Sequence, residues 1–261
     1  MKVKLIRETS NPVKLMADIA SICYGKDKAN NPERLVRNLL KLNHSSVFEH
    51  VYFTWKIEGV SRALLGQLTR HRHASYTVRS QRYCNEKNQD FIIPDSINDD
   101  DSTLLLWTYI SREIKSSYDQ LIKKGVPKED ARFILPQATE TELYFSCNLR
   151  ELLHIYKLRS DKSAQWEIRE LVRLLKNSIN PELHFMFGFT VGDVVKVVSL
   201  HEDDSPHMER YIGRVGTIME VHDTEDGLPY YVRFEDNPVE YNGEVYYDEL
   251  YFSYDELEKV E

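Results

Sequence analysis

The stretch of sequence that indicates the fold and chemistry of this chain is residues 59–85, which read GVSRALLGQLTRHRHASYTVRSQRYCN. It contains no Asp or Glu, although the whole chain has a net charge of −8. Its cations are Arg62, Arg70, Arg72, Arg79 and Arg82, with His71 and His73 between them. Because guanidinium groups present paired donors to phosphate oxygens, this concentration of charge predicts an anion-binding site. A solvated basic face is the alternative interpretation.

Composition limits the classes of protein to which the chain can belong. Its 261 residues are 41% hydrophobic and 11% aromatic, which is enough for a folded core. No segment has the roughly 20 consecutive apolar residues of a membrane span, and the basic start at 1–7 lacks the apolar segment of a signal peptide. Cys23, Cys84 and Cys147 form no Cys-x-x-Cys pair, so we expect no disulfide scaffold, no structural zinc and a reducing, cytoplasmic setting. The negative net charge argues against a general nucleic-acid binder.

Outward from this stretch, the spacing of apolar residues predicts an α+β fold in which helices flank a sheet. Residues 47–57 alternate between apolar and polar, which predicts a strand with one buried face, and residues 141–145 alternate in the same way. Helical spacing predicts helices at 11–22, 31–42, 61–72, 102–124, 128–134, 148–158 and 164–179. Asn11 and Asn31, each followed by Pro, are expected as N-caps. The expected buried stripes of the first two helices are Leu15, Ile19 and Ile22, then Leu35, Leu39 and Leu42.

The sequence changes character after Pro181. Short β segments are predicted at 191–198, 214–221, 230–234 and 245–252. Turn residues separate them, namely Gly192-Asp193, Asp226-Gly227 and Asn242-Gly243. We therefore expect one domain at 1–189 and a small all-β, barrel-like domain of unknown role at 190–261. The acidic balance of this second segment argues against phosphate binding there.

Polar side chains near the cations favour a binding role over a solvated face. Hydroxyl groups are interleaved with the arginines, and Gln67 lies one helical turn before Arg70. Farther along the chain, Arg150 and His154 lie one helical turn apart and face the same way, so they form a second candidate site. The alternative interpretation is a surface Arg and a partly buried His without a binding role. His71 and His73 have no carboxylate or Cys at a spacing that suits a metal, so no metal site is predicted. Cys84 and Ser80 have no evident base, so we expect hydrogen bonding rather than nucleophilic attack.

Several blocks of this sequence resemble the flavin-dependent thymidylate synthase family. Arg70-His71-Arg72, followed after seven residues by Ser80, resembles the signature of that family. The segment 44–50, HSSVFEH, resembles the family's His-x-x-x-Phe-Glu-His segment. Further family-like blocks occur in the same order, at 59–62, 67–70, 80–83, 132–136, 148–150, 158–161 and 164–169. The resemblance covers residues 1 to about 188, which implies that the domain at 1–189 is catalytic, and the all-β segment lies outside it.

This resemblance implies the methylation of dUMP to dTMP, with FAD as cofactor, 5,10-methylenetetrahydrofolate as carbon donor and NADPH as reductant. The residues implied for dUMP are Gln67, Leu68, Thr69, Arg70, Val78, Arg79, Ser80, Gln81, Arg82, Arg132 and Arg159. The residues implied for FAD are Ser46, Arg70, His71, Arg72, Val78, Asn148, Leu149, Arg150 and His154. Arg159 is implied as the catalytic residue that favours the uracil ionised at N3, which is physically reasonable for a fixed cation in a dry site. The resemblance also implies a homotetramer whose active sites combine several subunits.

The sequence departs from the family pattern at a few positions. Thr77 and Val78 stand where many members carry Asn and Glu, so the resemblance leaves only the backbone of Val78 for a contact. Ser163 stands where His is common. An RNA- or nucleotide-binding module that uses the basic, aromatic-rich loop without catalysis is the rival interpretation. The visible absorbance of bound flavin distinguishes the two.

Overall fold

The structure, a computed structural model, describes residues 1–189, 192–200, 206–221, 230–241, 244–253 and 256–260. The chain divides into two compact units, Met1–Met186 and Phe187–Glu261. The boundary at 189/190 expected from the sequence falls slightly later than this division. No helix in the described part of the chain is both long enough and apolar enough to cross a membrane.

The first unit combines an antiparallel sheet with helices, which confirms the predicted α+β class. Its strands are β1 (Lys2–Glu8), β2 (Tyr52–Ser61), β3 (Ala74–Val78) and β4 (Glu140–Asn148). Its α-helices are α1 (Pro12–Ser21), α2 (Pro32–Lys41), α3 (Arg62–Leu68), α4 (Asp95–Asn98), α5 (Asp101–Lys123), α6 (Lys128–Ala131), α7 (Leu149–Arg159) and α8 (Trp166–Ser178). Short 3₁₀ helices cover Ile22–Tyr24, Ser45–His50 and Arg132–Ile134, and another covers Pro181–Phe187 at the end of the unit.

The sheet has the strand order β1-β2-β4-β3, and one of its faces forms the core of the unit. On that face Phe53, Trp55 and Phe145 stack, with ring centroids 5.3 and 5.5 Å apart. The indole N–H of Trp55 donates to Ser178 Oγ at 2.8 Å, which fixes α8 against the sheet. The buried face predicted from the alternation in 47–57 is confirmed, because Phe53, Trp55 and Ile57 are buried.

Two element bounds differ from the sequence prediction, and one strand was not predicted. The expected strand at 47–57 begins only at Tyr52, because Ser45–His50 forms a 3₁₀ helix. The expected helix at 61–72 ends at Leu68, since the chain then turns into β3 and pairs with β4. β1 was not predicted; residues 2–6 alternate between exposed and partly buried, and no residue of the strand is fully buried.

The helix faces predicted near the N-terminus are partly wrong. Asn11 adopts a left-handed conformation and makes no side-chain cap, whereas the Asn31 side chain accepts from Arg34 N at 3.1 Å as predicted. α1 buries Val13, Met16, Ala17 and Ala20 instead of the expected stripe, and Ile22 is 71% exposed. In α2, Val36 and Leu39 are buried while Leu42 is exposed. α1 and α2 pack against each other, so their buried faces depend on a tertiary contact that the spacing of apolar residues alone does not give.

The second unit is a five-stranded antiparallel sheet. Its strands are β5 (Val194–Val197), β6 (Val215–Val221), β7 (Tyr230–Tyr241), β8 (Glu244–Phe252) and β9 (Leu257–Lys259). The strand order is β8-β7-β6-β5-β9, and no pairing of β8 with β9 closes the sheet in the described residues, so the barrel-like expectation is corrected to an open sheet. A core of its own includes Phe189, whose ring lies 5.2 Å from that of Tyr230. The predicted turns at 226–227 and 242–243 lie outside the described residues.

Candidate active site

A tight turn between α3 and β3 carries the Arg70-His71-Arg72 segment. α3 begins at a cap in which Ser61 Oγ accepts from Leu64 N at 3.0 Å. After α3, the hydroxyl of Tyr76 lies 2.9 Å from the carbonyl oxygen of Leu68 and 2.7 Å from that of His71. Burial raises the pKa of this phenol, so the hydroxyl stays protonated and donates to the turn. Tyr76 therefore fixes the backbone that presents His71.

His71 is the centre of the first side-chain cluster, which we call the His71 cluster: His71, Arg159, Glu151 and His154. Arg159 Nε lies 3.1 Å from His71 Nε2. On the other side of the ring, Nδ1 lies 3.9 Å from Glu151 Oε1. The ring of His154 meets that of His71 edge to face, with centroids 6.0 Å apart. α7 supplies all three partners, so this helix and the turn after α3 build the cluster together.

Burial and neighbouring cations keep His71 neutral. Its side chain is only 5% exposed. Desolvation, together with the neighbouring charges of Arg159, His154 and Arg70, lowers the pKa of His71 to about 4. A neutral imidazole has one nitrogen that accepts a hydrogen bond. His71 can therefore accept from the Arg159 guanidinium rather than repel it.

Most of the residues implied for FAD lie around this cluster, whereas Val78 lies at the far end of β3. Asn148 ends β4, and its side chain caps α7 by accepting from Glu151 N at 2.9 Å, while Leu149 is fully buried. Arg150 makes an ion pair with Glu49, which joins α7 to the 3₁₀ helix that carries Ser46. The structure thus brings Ser46, Asn148, Leu149, Arg150 and His154 to one end of the sheet. Arg70 and Arg72 are exposed, and neither side chain makes an ion pair within residues 1–189.

A second group of charged residues follows the other end of β3. We call it the Arg79 cluster: Arg62, Arg79, Glu86, Arg82, Glu129 and Arg132. Arg79 Nε donates to Glu86 Oε1 at 3.3 Å, and its Nη1 lies 3.6 Å from Glu142. The paired carboxylates raise the pKa of Arg79, although burial opposes them. Arg62 Nη2 donates to the carbonyl of Arg79 at 2.8 Å, which fixes the start of the 79–82 loop.

Glu129 joins the remaining residues of this cluster. Arg82 Nε donates to the Glu129 carboxylate at 3.0 Å, and Arg132 Nε donates to the Glu129 carbonyl at 3.1 Å. Tyr83 and Phe133 beside them are 76% and 83% exposed. Ser80 and Gln81 are half-buried between the arginines. The Arg79 cluster therefore combines positive charge, hydroxyl groups and uncovered aromatic rings.

The residues implied for dUMP are divided between the two clusters. Gln67 to Arg70 and Arg159 lie with the His71 cluster, whereas Val78 to Arg82 and Arg132 lie with the Arg79 cluster. β3 separates the two groups, and its 5 residues are roughly 15 Å long at the usual rise of a strand. In a single copy of the chain the two groups therefore follow opposite ends of β3.

Sequence reasoning missed two buried carboxylates that organise these clusters. Glu151 is 7% exposed and faces His71, while the Glu86 side chain is fully buried against Arg79. The Asn148-x-x-Glu151 spacing is typical of a helix N-terminus and marks Glu151 as a first-turn residue. No local pattern marks Glu86. Its position depends on Tyr118, which is distant in the sequence and whose hydroxyl accepts from Glu86 N at 3.3 Å.

Comparisons with known proteins agree on one family. The family described as thymidylate synthase complementing protein matches residues 4–183. The flavin-dependent thymidylate synthase of Pyrococcus furiosus is 42% identical over 184 residues, which cover 66% of this chain and 75% of that protein. The flavin-dependent thymidylate synthase of Geobacter sulfurreducens is 38% identical over 191 residues, covering 67% of this chain and 82% of that protein.

Solved structures show the same fold. Thymidylate synthase X from Helicobacter pylori, crystallised with FAD and dUMP, has a TM-score of 0.58 and 24% identity, covering 72% of this chain and 97% of that one. The UMP/dUMP methylase PolB from Streptomyces cacaoi, bound with 5-Br dUMP, has a TM-score of 0.64 and 23% identity, covering 71% of this chain and 93% of that one. The family match lies wholly within the first unit. This chain therefore belongs to the flavin-dependent thymidylate synthase family.

Proposed function

We propose that this chain converts dUMP to dTMP, with 5,10-methylenetetrahydrofolate as the carbon donor and NADPH as the source of reducing equivalents. Bound FAD would supply the hydride that completes the methyl group. The proposal rests on the family to which the chain belongs and on the arrangement of the His71 cluster. The supporting relatives are named flavin-dependent thymidylate synthases, and the Helicobacter pylori relative was crystallised with FAD and dUMP.

The orientation of Arg159 is the observation that carries this proposal. Its Nε is engaged by His71, and its half-buried guanidinium makes no other hydrogen bond within residues 1–189. The Nη1 and Nη2 groups therefore remain available as a planar pair of donors. Directed at the uracil, this cation would stabilise negative charge at N3 and thereby increase the nucleophilicity of the carbon that is methylated.

The residues near the His71 cluster suit FAD in charge and chemistry. Arg70 and Arg72 are exposed cations without an ion pair in the first unit, so they could hold the diphosphate of the cofactor. Ser46, Arg150 and His154 add a hydroxyl, a guanidinium and an imidazole at the same end of the sheet. This donor set fits a large dinucleotide that carries two phosphates and several hydroxyl groups.

The Arg79 cluster would hold the dUMP phosphate. Arg82 is exposed and its backbone N–H donates to Ser80 Oγ at 3.3 Å, while Arg132 is partly exposed, and guanidinium groups with a hydroxyl suit a tetrahedral anion. Arg79 is held by Glu86 and Glu142 and would set the path of the loop. The backbone of Val78 would add a contact here, whereas Gln67, Leu68, Thr69 and Arg70 would contact dUMP from the His71 cluster.

We propose a reaction without a covalent bond between enzyme and substrate. Burial raises the pKa of the Cys147 thiol strongly, which keeps it protonated inside the sheet. Cys84 is half-buried, and its N–H donates to the Ser80 carbonyl at 2.9 Å within the loop. No base lies in hydrogen-bond contact with its thiol in the first unit. With three free cysteines, the chain suits a reducing setting, and we place the reaction in the cytoplasm.

In a homotetramer with shared active sites, the two clusters could come together from different copies of the chain. If the Arg79 cluster of one copy lies against the His71 cluster of another, the implied dUMP residues surround one molecule. α5 supports assembly, because it presents a row of exposed apolar side chains at helical spacing: Leu105, Leu106, Tyr109 and Ile110.

One assay tests the proposed function against the rival RNA-binding module. The purified full chain is mixed with dUMP, methylenetetrahydrofolate, FAD and NADPH, and dTMP is measured by chromatography and mass spectrometry. We expect dTMP only when all components are present, and a protein that takes up yellow flavin. A chain that binds RNA oligonucleotides but neither holds flavin nor forms dTMP would support the rival instead.

A further inference from the structure

The buried carboxylate of Glu151 has no role in the function proposed above. It lies in the first turn of α7 and is 7% exposed. Its own N–H is satisfied by the Asn148 side chain, so the carboxylate is not needed for the cap. Its Oε1 lies 3.9 Å from His71 Nδ1. A general contribution to the helix N-terminus is the alternative explanation for a carboxylate at this place.

The contact between Arg159 and His71 fixes which nitrogen of the imidazole carries the proton. A guanidinium has only donors, so the Arg159 Nε–H must donate to a lone pair on His71 Nε2, 3.1 Å away. In the neutral ring the single proton is then on Nδ1. This Nδ1–H is the group that faces Glu151. At 3.9 Å the separation exceeds a direct hydrogen bond, so the interaction is electrostatic or carried by a water.

The other tautomer would break the arrangement. With the proton on Nε2, two N–H groups would point at each other, and Arg159 would have to turn away. This tautomer would also leave a lone pair on Nδ1 facing the Glu151 carboxylate. The carboxylate of Glu151 at Nδ1 and the N–H of Arg159 at Nε2 therefore both favour the Nδ1–H form. The pKa of His71, lowered to about 4, keeps the ring neutral at the pH at which the enzyme is assayed.

We propose that Glu151 is a positioning residue, which selects the His71 tautomer that accepts from Arg159 and so holds the Arg159 guanidinium in its working orientation. The inference rests on the proposed role of Arg159 toward the uracil. It extends that role to three side chains in series, Glu151, His71 and Arg159. The family resemblance implied a binding role only for His71 and Arg159.

Two substitutions separate positioning from helix stability. Glu151→Met keeps the length of the side chain and removes the acceptor, whereas Glu151→Gln restores an uncharged acceptor. We expect kcat to fall about 10–100-fold in the Met variant, the size usual when a residue that orients a functional group is lost, and to recover partly in the Gln variant. Glu170→Gln on α8 makes the same charge change at an ion pair with Arg173 and should leave kcat unchanged.

A double-mutant cycle identifies the path of the effect. In an Arg159→Ala background, Glu151→Met should lower kcat little further, because the group that it positions is absent. An equal loss in both backgrounds would overturn the inference and favour the helix explanation. Wild-type kcat in folded Glu151→Met would overturn it as well. If the Met variant does not fold, the Gln variant takes its place in the cycle, and the same outcomes decide.

A spectroscopic measurement tests the tautomer without turnover. In protein labelled with ¹⁵N-histidine, the shifts of His71 distinguish a protonated Nδ1 from a protonated Nε2. We expect Nδ1–H in the wild-type chain and a mixture of tautomers in Glu151→Met. A wild-type His71 protonated on Nε2 would overturn the inference. A wild-type chain that holds the Nδ1–H tautomer but forms no dTMP would instead contradict the proposed function.

Discussion

Acid should destabilise the first unit through His71, and the structure gives the size of the effect. The pKa of His71 is about 4 in the folded chain and 6.5 in the unfolded one. Between these values the unfolded chain binds more protons, so stability is complete above pH 6.5 and falls as the pH drops toward 4. At about 1.4 kcal/mol per pKa unit, the full loss is about 3 kcal/mol, of which about 2 kcal/mol falls between pH 7 and pH 5.

Tryptophan fluorescence during urea unfolding measures this loss in the full chain without flavin. Trp55, Trp107 and Trp166 are the only tryptophans, and all belong to the first unit, so the signal reports on that unit. In His71→Gln, whose amide oxygen can still accept from Arg159, the free energy of unfolding should lose about 2 kcal/mol less between pH 7 and pH 5. His73→Gln, at an exposed histidine in the same loop, is the matched control. If wild type and His71→Gln lose the same free energy of unfolding between pH 7 and pH 5, measured at one protein concentration, the reasoning is refuted.

Other expected outcomes concern the reaction and the second unit. Cys84→Ala should retain substantial turnover, and a trapped adduct on Cys84 in mass spectrometry would contradict a reaction without a nucleophile. Arg159→Ala should lower kcat by about 10²–10³-fold and Arg159→Lys by less, because Lys keeps the charge and loses the planar pair of donors; wild-type kcat in Arg159→Ala with FAD bound would exclude its activating role. A chain that ends at Met186 should still assemble, bind FAD and form dTMP, as size-exclusion chromatography and the dUMP assay can measure. A folded, soluble truncation without flavin would show that the second unit belongs to the catalytic machinery.

The sequence predicts those parts of the fold that depend on local patterns. Alternation around Phe53, Trp55 and Ile57 identifies the buried face of β2, and the Asn31 cap and the long helix at α5 follow from capping residues and periodicity. β1 and β9 were not predicted: both are edge strands, no residue of β1 is fully buried, and β9 has only 3 residues. The end of α3 at Leu68 depends on pairing of β3 with β4, a contact distant in the chain.

Prediction of the site has a similar limit. Motif spacing identifies the arginines and His71, since the family pattern is local in sequence. It does not identify Glu151 or Glu86 as partners, because their burial depends on where α7 and α5 pack. Nor does it show that the implied dUMP residues fall into two clusters at opposite ends of β3. That separation is a property of the folded chain, and it is the reason for proposing shared sites.

Complementation between two inactive variants tests most directly the claim that each active site combines the His71 cluster of one copy with the Arg79 cluster of another. Arg159→Ala and Arg82→Ala proteins are unfolded together, refolded as a mixture and assayed for dTMP from dUMP. Our account predicts little activity in either variant alone and a clear recovery in the mixture, since some sites then contain neither substitution. A mixture in which exchanged subunits are demonstrated but no activity returns would show that both clusters act within one copy, and would contradict the account.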